Sequence, residues 1–282
     1  MRPKQWTKNV FIFAALVFDR QLLQLEPLAN TIIGFLLFCL ASSTVYIIND
    51  IADIEQDRMH PRKKFRPLAA GSLSKRSALV AAGVFAGITL IGAFYLKPAF
   101  GVITLAYLIL NLAYSFKLKH VPILDVLIVA TGFVLRVGAG VSLIIVERFS
   151  PWLYVCTTLL ALFLGFGKRR AELSLLAEEA NAHRRVFDGY TLSLLDQLIS
   201  IVSATTIMAY SLYTFSAENL PDNHLMMLTI PFVMYGIFRY LYLIHVEDAG
   251  GAPEEVLLTD YPFLATIIAW GSLSAIILYF YT

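Results

Sequence analysis

Nine stretches of this sequence are long and apolar enough to cross a bilayer, and that leaves very few folds open. They lie near residues 5–24, 28–51, 76–95, 98–116, 122–146, 151–167, 192–214, 224–246 and 262–281. A spanning helix needs ~20 mostly apolar residues. Lipid satisfies no backbone N–H or C=O, so only helices and closed barrels can span it. Barrel strands alternate between apolar and polar residues, whereas these runs are long and continuously apolar. The expectation is an all-α integral membrane bundle of about nine helices, forming one transmembrane domain over residues 1–282. Glu26-Pro27, Lys97-Pro98, Val121-Pro122, Ser150-Pro151 and the stretch from Asn219 to Asn223 punctuate the runs. Hydrophobic residues make up 58% and charged residues 15%, against roughly 45–50% and 25% in soluble domains. A net charge of +2 is too small to argue for a nucleic-acid partner. Cys39 and Cys156 sit in apolar runs and read as packing residues, with neither disulfide nor metal spacing.

The N-terminus has the basic start of a signal peptide, Arg2, Lys4 and Lys8, before the short run Val10 to Phe18. No small-x-small cleavage site follows, and Asp19-Arg20 interrupt it, so it reads as a retained first membrane helix. Basic residues give the orientation. With the N-terminus in the cytoplasm, the inside segments 1–8, 52–76, 117–120, 168–191 and 247–261 hold 17 of the 22 Lys and Arg. The outside segments hold only Arg20, Lys97 and Arg148. The expected location is a bacterial-type inner (plasma) membrane.

The second run ends in Asn49, Asp50, Asp53 and Asp57. The spacing of 49, 53 and 57 is i, i+4, i+8, and Asp50 is seven residues before Asp57, so the four share one helical stripe. Three carboxylates on one face repel each other, and a membrane surface raises the cost. A hard divalent cation removes that cost. Mg²⁺ takes oxygen ligands and completes its shell with waters and substrate phosphates. Arg58, Arg62, Lys63, Lys64 and Arg66 follow within nine residues, supplying cations for phosphate oxygens. The plainer alternatives are a solvated helix end and the cationic loop that the positive-inside rule asks for anyway.

Asn49-Asp50-x-x-Asp53-x-x-x-Asp57 resembles the first aspartate-rich motif of the UbiA superfamily of intramembrane prenyltransferases. Arg66-Pro67-Leu68-Ala69-Ala70-Gly71-Ser72-Leu73-Ser74 is similar to that superfamily's Arg-Pro-Leu-x-x-Gly-x-Leu-Ser loop, and Tyr114-Ser115-x-x-Leu118-Lys119 to its Tyr-Ser-x-x-Leu-Lys element. The resemblance covers essentially the whole chain. It implies a nine-helix bundle whose polar cavity opens to the cytoplasm, with a lateral portal to lipid.

Typical members carry a second acidic motif after the sixth helix. Here that place reads Gly165-Phe166-Gly167-Lys168-Arg169-Arg170-Ala171-Glu172, with the sign of the local charge reversed. This run and the opening Arg2-Pro3-Lys4-Gln5-Trp6-Thr7-Lys8-Asn9 look like the branch that joins 5-phosphoribosyl 1-diphosphate (PRPP) to a polyprenyl phosphate, giving decaprenyl-phosphoryl-phosphoribose. The resemblance implies that activity, with Mg²⁺ as cofactor; spacing alone does not. The chemistry suits the residues: many phosphates call for one carboxylate-held metal and many cations.

On this reading, Asp50 and Asp53, supported by Asn49 and Asp57, hold Mg²⁺; Asp50, Asp53, Asp57 and Lys168 form the catalytic set. Lys63, Lys64 and Arg66 hold the diphosphate or the C5 phosphate, and Lys117 and Lys119 join them. Lys168, Arg169 and Arg170 serve another phosphate, Glu172 orients a basic residue or a ribose hydroxyl, and Lys4 and Lys8 meet the lipid headgroup. Tyr46 and Tyr114 line the pocket or serve as interface aromatics. Arg136, mid-run beside Gly138 and Gly140, lines a cavity or forms a structural ion pair, with Asp125 as a candidate partner. Arg239 poses the same choice. Glu247, Asp248 and Asp260 close over the cavity or are simply solvated. His60, His120, His183, His224 and His245 share no ligand spacing. A homo-oligomer is compatible with this reading. Two other functions stay open: transfer of an isoprenoid chain from its diphosphate to an aromatic acceptor, and cation or metabolite transport. A transport site is expected near the midplane with internal repeats, and neither is evident.

Overall fold

The computed structural model describes residues 3–59, 63–146, 150–178, 189–247, 256 and 259–281. Arg2, His60, Arg62, Arg148, His183 and Asp248 lie outside the described residues, and Lys4 is described by its backbone only. A 3-10 stretch, Pro3–Ile12, runs into the short helix α1, Phe13–Phe18. The other helices are α2 (Leu25–Ala52), α3 (Ile54–Met59), α4 (Lys75–Leu96), α5 (Pro98–Phe116), α6 (Leu124–Leu143), α7 (Trp152–Glu178), α8 (Leu192–Ser216), α9 (Ile230–His245) and α10 (Tyr261–Phe280). No strand occurs among the described residues.

Seven of the described helical segments are long and apolar enough to cross a membrane. The other two expected spans differ for identifiable reasons. Within the run 5–24, the residues up to Phe18 form the 3-10 stretch and a single short helix, and residues 19–24 form turns. The run 151–167 continues without a break as α7. Gly165 and Gly167 do not stop it, and the Ala-Glu-Leu-rich sequence from Ala171 onward favours helix.

The chain divides into two compact units. The first holds residues 1–17, 21–119 and 135–146. Its core joins Ile12, Phe38, Ala41, Val45, Ala93, Phe100, Tyr107, Leu108, Ala139 and Leu143. Hydroxyl residues enter these apolar helices by donating to the carbonyl one turn back, as Ser42 does to Phe38 and Thr104 to Phe100. The Pro67–Ser74 loop is a compact turn. Gly71 has φ +76°, a left-handed value that suits glycine, and Ser74 Oγ caps α4 by accepting from Ser77 N–H.

Gly140 shows why small residues stand on α6. A Cβ there would fall 2.0 Å from the carbonyl oxygen of Ile12. Backbone cannot retract as a side-chain tip can. Gly140→Ala is therefore expected to lower stability by about 1–3 kcal/mol, read as a fall in Tm in detergent, whereas Gly87→Ala, inside α4 with open space around it, keeps or slightly raises Tm.

The second unit holds residues 18–20, 120–134 and 147–282. Its core gathers Val126, Phe163, Phe166, Tyr190, Leu195, Ile199, Ile237, Tyr240 and Ile244. Arg239, on α9, pairs with Asp260 at 2.7 Å and lies 3.6 Å from Glu247. Asp260 also caps α10, accepting from Phe263 N–H at 2.8 Å. This is the structural ion pair of the two readings open for Arg239. The hydrogen bond from Arg239 chiefly holds the Asp260 carboxyl below the usual range, helped by Phe263 N–H and opposed by partial burial. A depressed carboxylate stabilises the fold above its unfolded pKa, about 3.9, and that stabilisation is lost as pH falls through the folded value. Asp260→Asn should flatten the dependence of Tm on pH below about 4.

Candidate functional site

The acidic stripe of the first unit crosses a kink between two helices. α2 ends at Ala52, Asp53 stands outside helical geometry at φ −99° and ψ 7°, and α3 resumes at Ile54. The helical repeat survives the kink: Asp53 N–H donates to Asn49 C=O at 3.0 Å and Asp57 N–H to Asp53 C=O at 2.8 Å. Asn49, Asp53 and Asp57 thus stay on one face.

Cations of the two neighbouring motifs meet these acids. Arg66 Nη1 donates to Asp50 Oδ1 at 3.1 Å and to Asp57 Oδ2 at 2.6 Å, so one nitrogen ties two carboxylates together. Asp57 is only 3% exposed. Lys119 Nζ donates to Asp53 Oδ1, and Asn49 Nδ2 to Asp53 Oδ2 at 3.1 Å. Asp50, Asp53, Asp57, Arg66, Lys119 and Asn49 are therefore brought together as expected. Arg66 and Lys119 offset part of the carboxylate repulsion in this arrangement. Among the described residues, no group of three His, Cys, Asp or Glu side chains could hold a metal unaided. The donor set nonetheless fits Mg²⁺, which binds through one or two carboxylates and takes the rest of its shell from water and phosphate. The place between Asp50 and Asp57 already accommodates positive charge.

Other expected residues lie around this cluster or apart from it. Lys63 is half-buried in the turn Lys63–Phe65, and Lys64 is exposed, 5.2 Å from the Phe65 ring centre. Lys117 is exposed at the end of α5, and neither it nor Lys64 makes a described contact with the acids. Tyr114 and Lys8 are half-buried. Tyr46 OH donates weakly to Gln5 Oε1 at 3.4 Å, one turn before Asp50.

The described partners of Arg136 are neutral side chains of the first unit. Its Nε donates to Asn9 Oδ1 and its Nη2 to Tyr107 OH, both at 2.9 Å, and its guanidinium lies 4.9 Å from the Tyr107 ring centre. It is 6% exposed, which makes it an anchor inside the first unit. Asn9 and Tyr107 were not legible as its partners, because an Asn and a Tyr in apolar runs carry no charge to signal them.

In the second unit, Lys168 is half-buried and the two arginines after it are held by acids. Arg169 Nε donates to Asp125 Oδ2 and Nη1 to Glu172 Oε2, each at 2.6 Å. Glu172 thus orients a basic residue, one of its two expected roles. Arg170 Nε donates to Asp196 Oδ1 at 2.6 Å, an oxygen that His245 Nε2 approaches at 3.2 Å. Tyr190 OH donates to Asp125 Oδ1 at 2.7 Å and accepts from Ile123 N–H at 2.5 Å. Burial, then the Asp125 carboxylate, raises the Tyr190 hydroxyl well above its ordinary pKa, so it stays a donor. Sequence reasoning missed Asp196 and Tyr190; their position at the start of α8 was the available signal.

A model of the UbiA prenyltransferase family matches residues 10–256. The chain is similar to a decaprenyl-phosphate phosphoribosyltransferase of Mycolicibacterium smegmatis, at 34% identity over 98% of this chain and 91% of the relative. It is also similar to the protein so named in Mycobacterium tuberculosis, at 32% identity over 96% of this chain and 90% of that one. Among solved structures it resembles a UbiA homolog from Archaeoglobus fulgidus bound to GPP and Mg²⁺, with TM-score 0.74, 21% identity, and coverage of 98% of this chain and 97% of that one.

Proposed function

The chain belongs to the UbiA prenyltransferase family, and we propose that it transfers 5-phosphoribose from PRPP to a polyprenyl phosphate, releasing pyrophosphate at the cytoplasmic face of a bacterial plasma membrane. The observation that carries this reading is the run Lys168-Arg169-Arg170 at the place of a second acidic motif. A reaction between a diphosphate, a C5 phosphate and a lipid phosphate needs cations more than a second metal. The relatives named decaprenyl-phosphate phosphoribosyltransferase support the same choice.

An oxygen of the lipid phosphate attacks ribose C1. The bond from C1 to the diphosphate oxygen breaks, and pyrophosphate leaves with the electron pair. The attacking oxygen is anionic near neutral pH, so no general base is required. Asp50 and Asp53, with Asn49 and Asp57, would hold Mg²⁺, whose charge stabilises the leaving group when it is bound. Arg66 and Lys119 exchange carboxylate for phosphate oxygens, a trade between charge-assisted bonds of similar strength. Lys63, Lys64 and Lys117 add cations to the same phosphates. Lys168 serves a further phosphate, while Arg169, held by Asp125 and Glu172, and Arg170, held by Asp196, add positive field beside it. Lys4 and Lys8 meet the lipid headgroup, and Tyr46 and Tyr114 line its approach. Positioning two anions in contact supplies much of the rate.

The test is to incubate purified protein with Mg²⁺, PRPP and a polyprenyl phosphate. Pyrophosphate and a phosphoribosylated lipid are expected in equal amounts. No such product, with turnover of a prenyl diphosphate and an aromatic acid instead, would move the assignment to prenyl transfer.

A further inference from the structure

The Pro3–Ile12 stretch keeps 3-10 geometry over ten residues, although such runs rarely exceed about four. Its contacts explain why. Side chains three apart eclipse in this helix, so Trp6, Asn9 and Ile12 form one row. Trp6 Nε1 donates to Ser43 Oγ at 3.2 Å. Asn9, 0% exposed, donates from Nδ2 to Ser42 Oγ at 2.9 Å and to Cys39 Sγ at 3.3 Å, and accepts from Arg136 at Oδ1. The carbonyl of Ile12 enters the space left by Gly140. Three residues of a 3-10 helix climb about 6 Å, as do four of an α-helix. Asn9 and Ile12 therefore match Arg136 and Gly140 in register. An α-helix would climb about 4.5 Å over the same three residues and rotate the row out of line.

The neighbouring row is Gln5, Lys8 and Phe11, all half-buried, while Thr7 and Val10 on the third row are exposed. Gln5 meets Tyr46, one turn before Asp50 on α2. Locking the first row thus fixes a basic, amphipathic row alongside the helix that carries the acids.

We infer that Arg136 and Asn9 are positioning residues: they hold this strap so that its Gln5–Lys8 edge binds the phosphate of the prenyl lipid and sets affinity for that substrate alone. The inference rests on the proposed function only in taking a prenyl phosphate as a substrate.

Farnesyl phosphate titrated into the purified protein by calorimetry gives a readout without turnover. Asn9→Leu is expected to weaken this binding at least 10-fold, and Lys8→Gln by a similar factor. Asn9→Asp, which keeps the acceptor for Arg136, should stay within 3-fold of the parent, as should Val10→Ala. In the transfer assay, KM for the lipid should rise with little change in KM for PRPP. Lys8→Gln leaves the anchor intact, so it decides the matter if Asn9→Leu does not fold. Unchanged farnesyl phosphate affinity in Lys8→Gln, or equal loss for both substrates, would overturn the inference. Weakened lipid binding in a protein that never uses PRPP would keep the strap and discard the phosphoribosyl reading.

Discussion

Replacing Asp50 or Asp53 by Asn is expected to cut transfer by about 10²–10³-fold while leaving the protein folded. Asn has the same shape and retains one oxygen. Asp53 accepts from Lys119 and from Asn49, and Asp50 shares Arg66 Nη1 with Asp57, so each amide keeps an acceptor for a neighbouring cation. What is lost is one negative charge among three that face Arg66 and Lys119. A dication feels that loss twice as strongly as a monocation at equal distance. Raising Mg²⁺ should therefore restore part of the activity, and the apparent affinity for the metal should fall with the rate. Asp57→Asn should behave differently. That carboxylate is nearly sealed from solvent and lies 2.6 Å from Arg66, so its variant loses stability as well as rate. Parental Mg²⁺-dependent turnover in both Asp50→Asn and Asp53→Asn would remove the metal role and return these residues to ion pairing with the loops.

The features legible in advance were those that repeat or carry formal charge. Apolar length announced the helices, and i, i+4 spacing put Asn49, Asp53 and Asp57 on one face even across the kink at Asp53. Charge made Arg66 and Lys119 visible as cations near that face, where they read as phosphate ligands; their pairing with the carboxylates came from the fold. Charge alone did not point to Asn9 and Tyr107, the neutral described partners of Arg136, which lie beside the close approach at Gly140. Hydropathy marked the N-terminal run as helical but does not distinguish a 3.6-residue period from one of three. That distinction depends on what the segment packs against. The same holds for Arg169 and Arg170: cations in sequence, they lie within bonding distance of Asp125, Glu172 and Asp196, which come from distant positions or the next helical turn.

Asp125→Ala is expected to destabilise the second unit by about 3–5 kcal/mol, the largest stability effect anticipated for a single substitution here. Asp125 is 0% exposed, and each of its oxygens is committed, one to Arg169 and one to Tyr190. Removing it takes one of two carboxylates from Arg169, which keeps Glu172, and takes the acceptor from the Tyr190 hydroxyl. It also loosens a strained segment. Ile123 has φ +67°, costly for a β-branched residue, and its N–H is held by the same Tyr190 hydroxyl. Asp125→Asn keeps an acceptor and should lose less. Arg169→Leu should be milder than Asp125→Ala, because Tyr190 keeps its acceptor and the arginine's charge goes together with its need for a partner. Tm in detergent orders the three variants. If Asp125→Ala unfolds within about 1 kcal/mol of the parent, the pair is not a buried anchor. Arg169 would then be exchangeable between carboxylate and phosphate at little cost, and inorganic phosphate should bind Asp125→Ala more tightly than the parent.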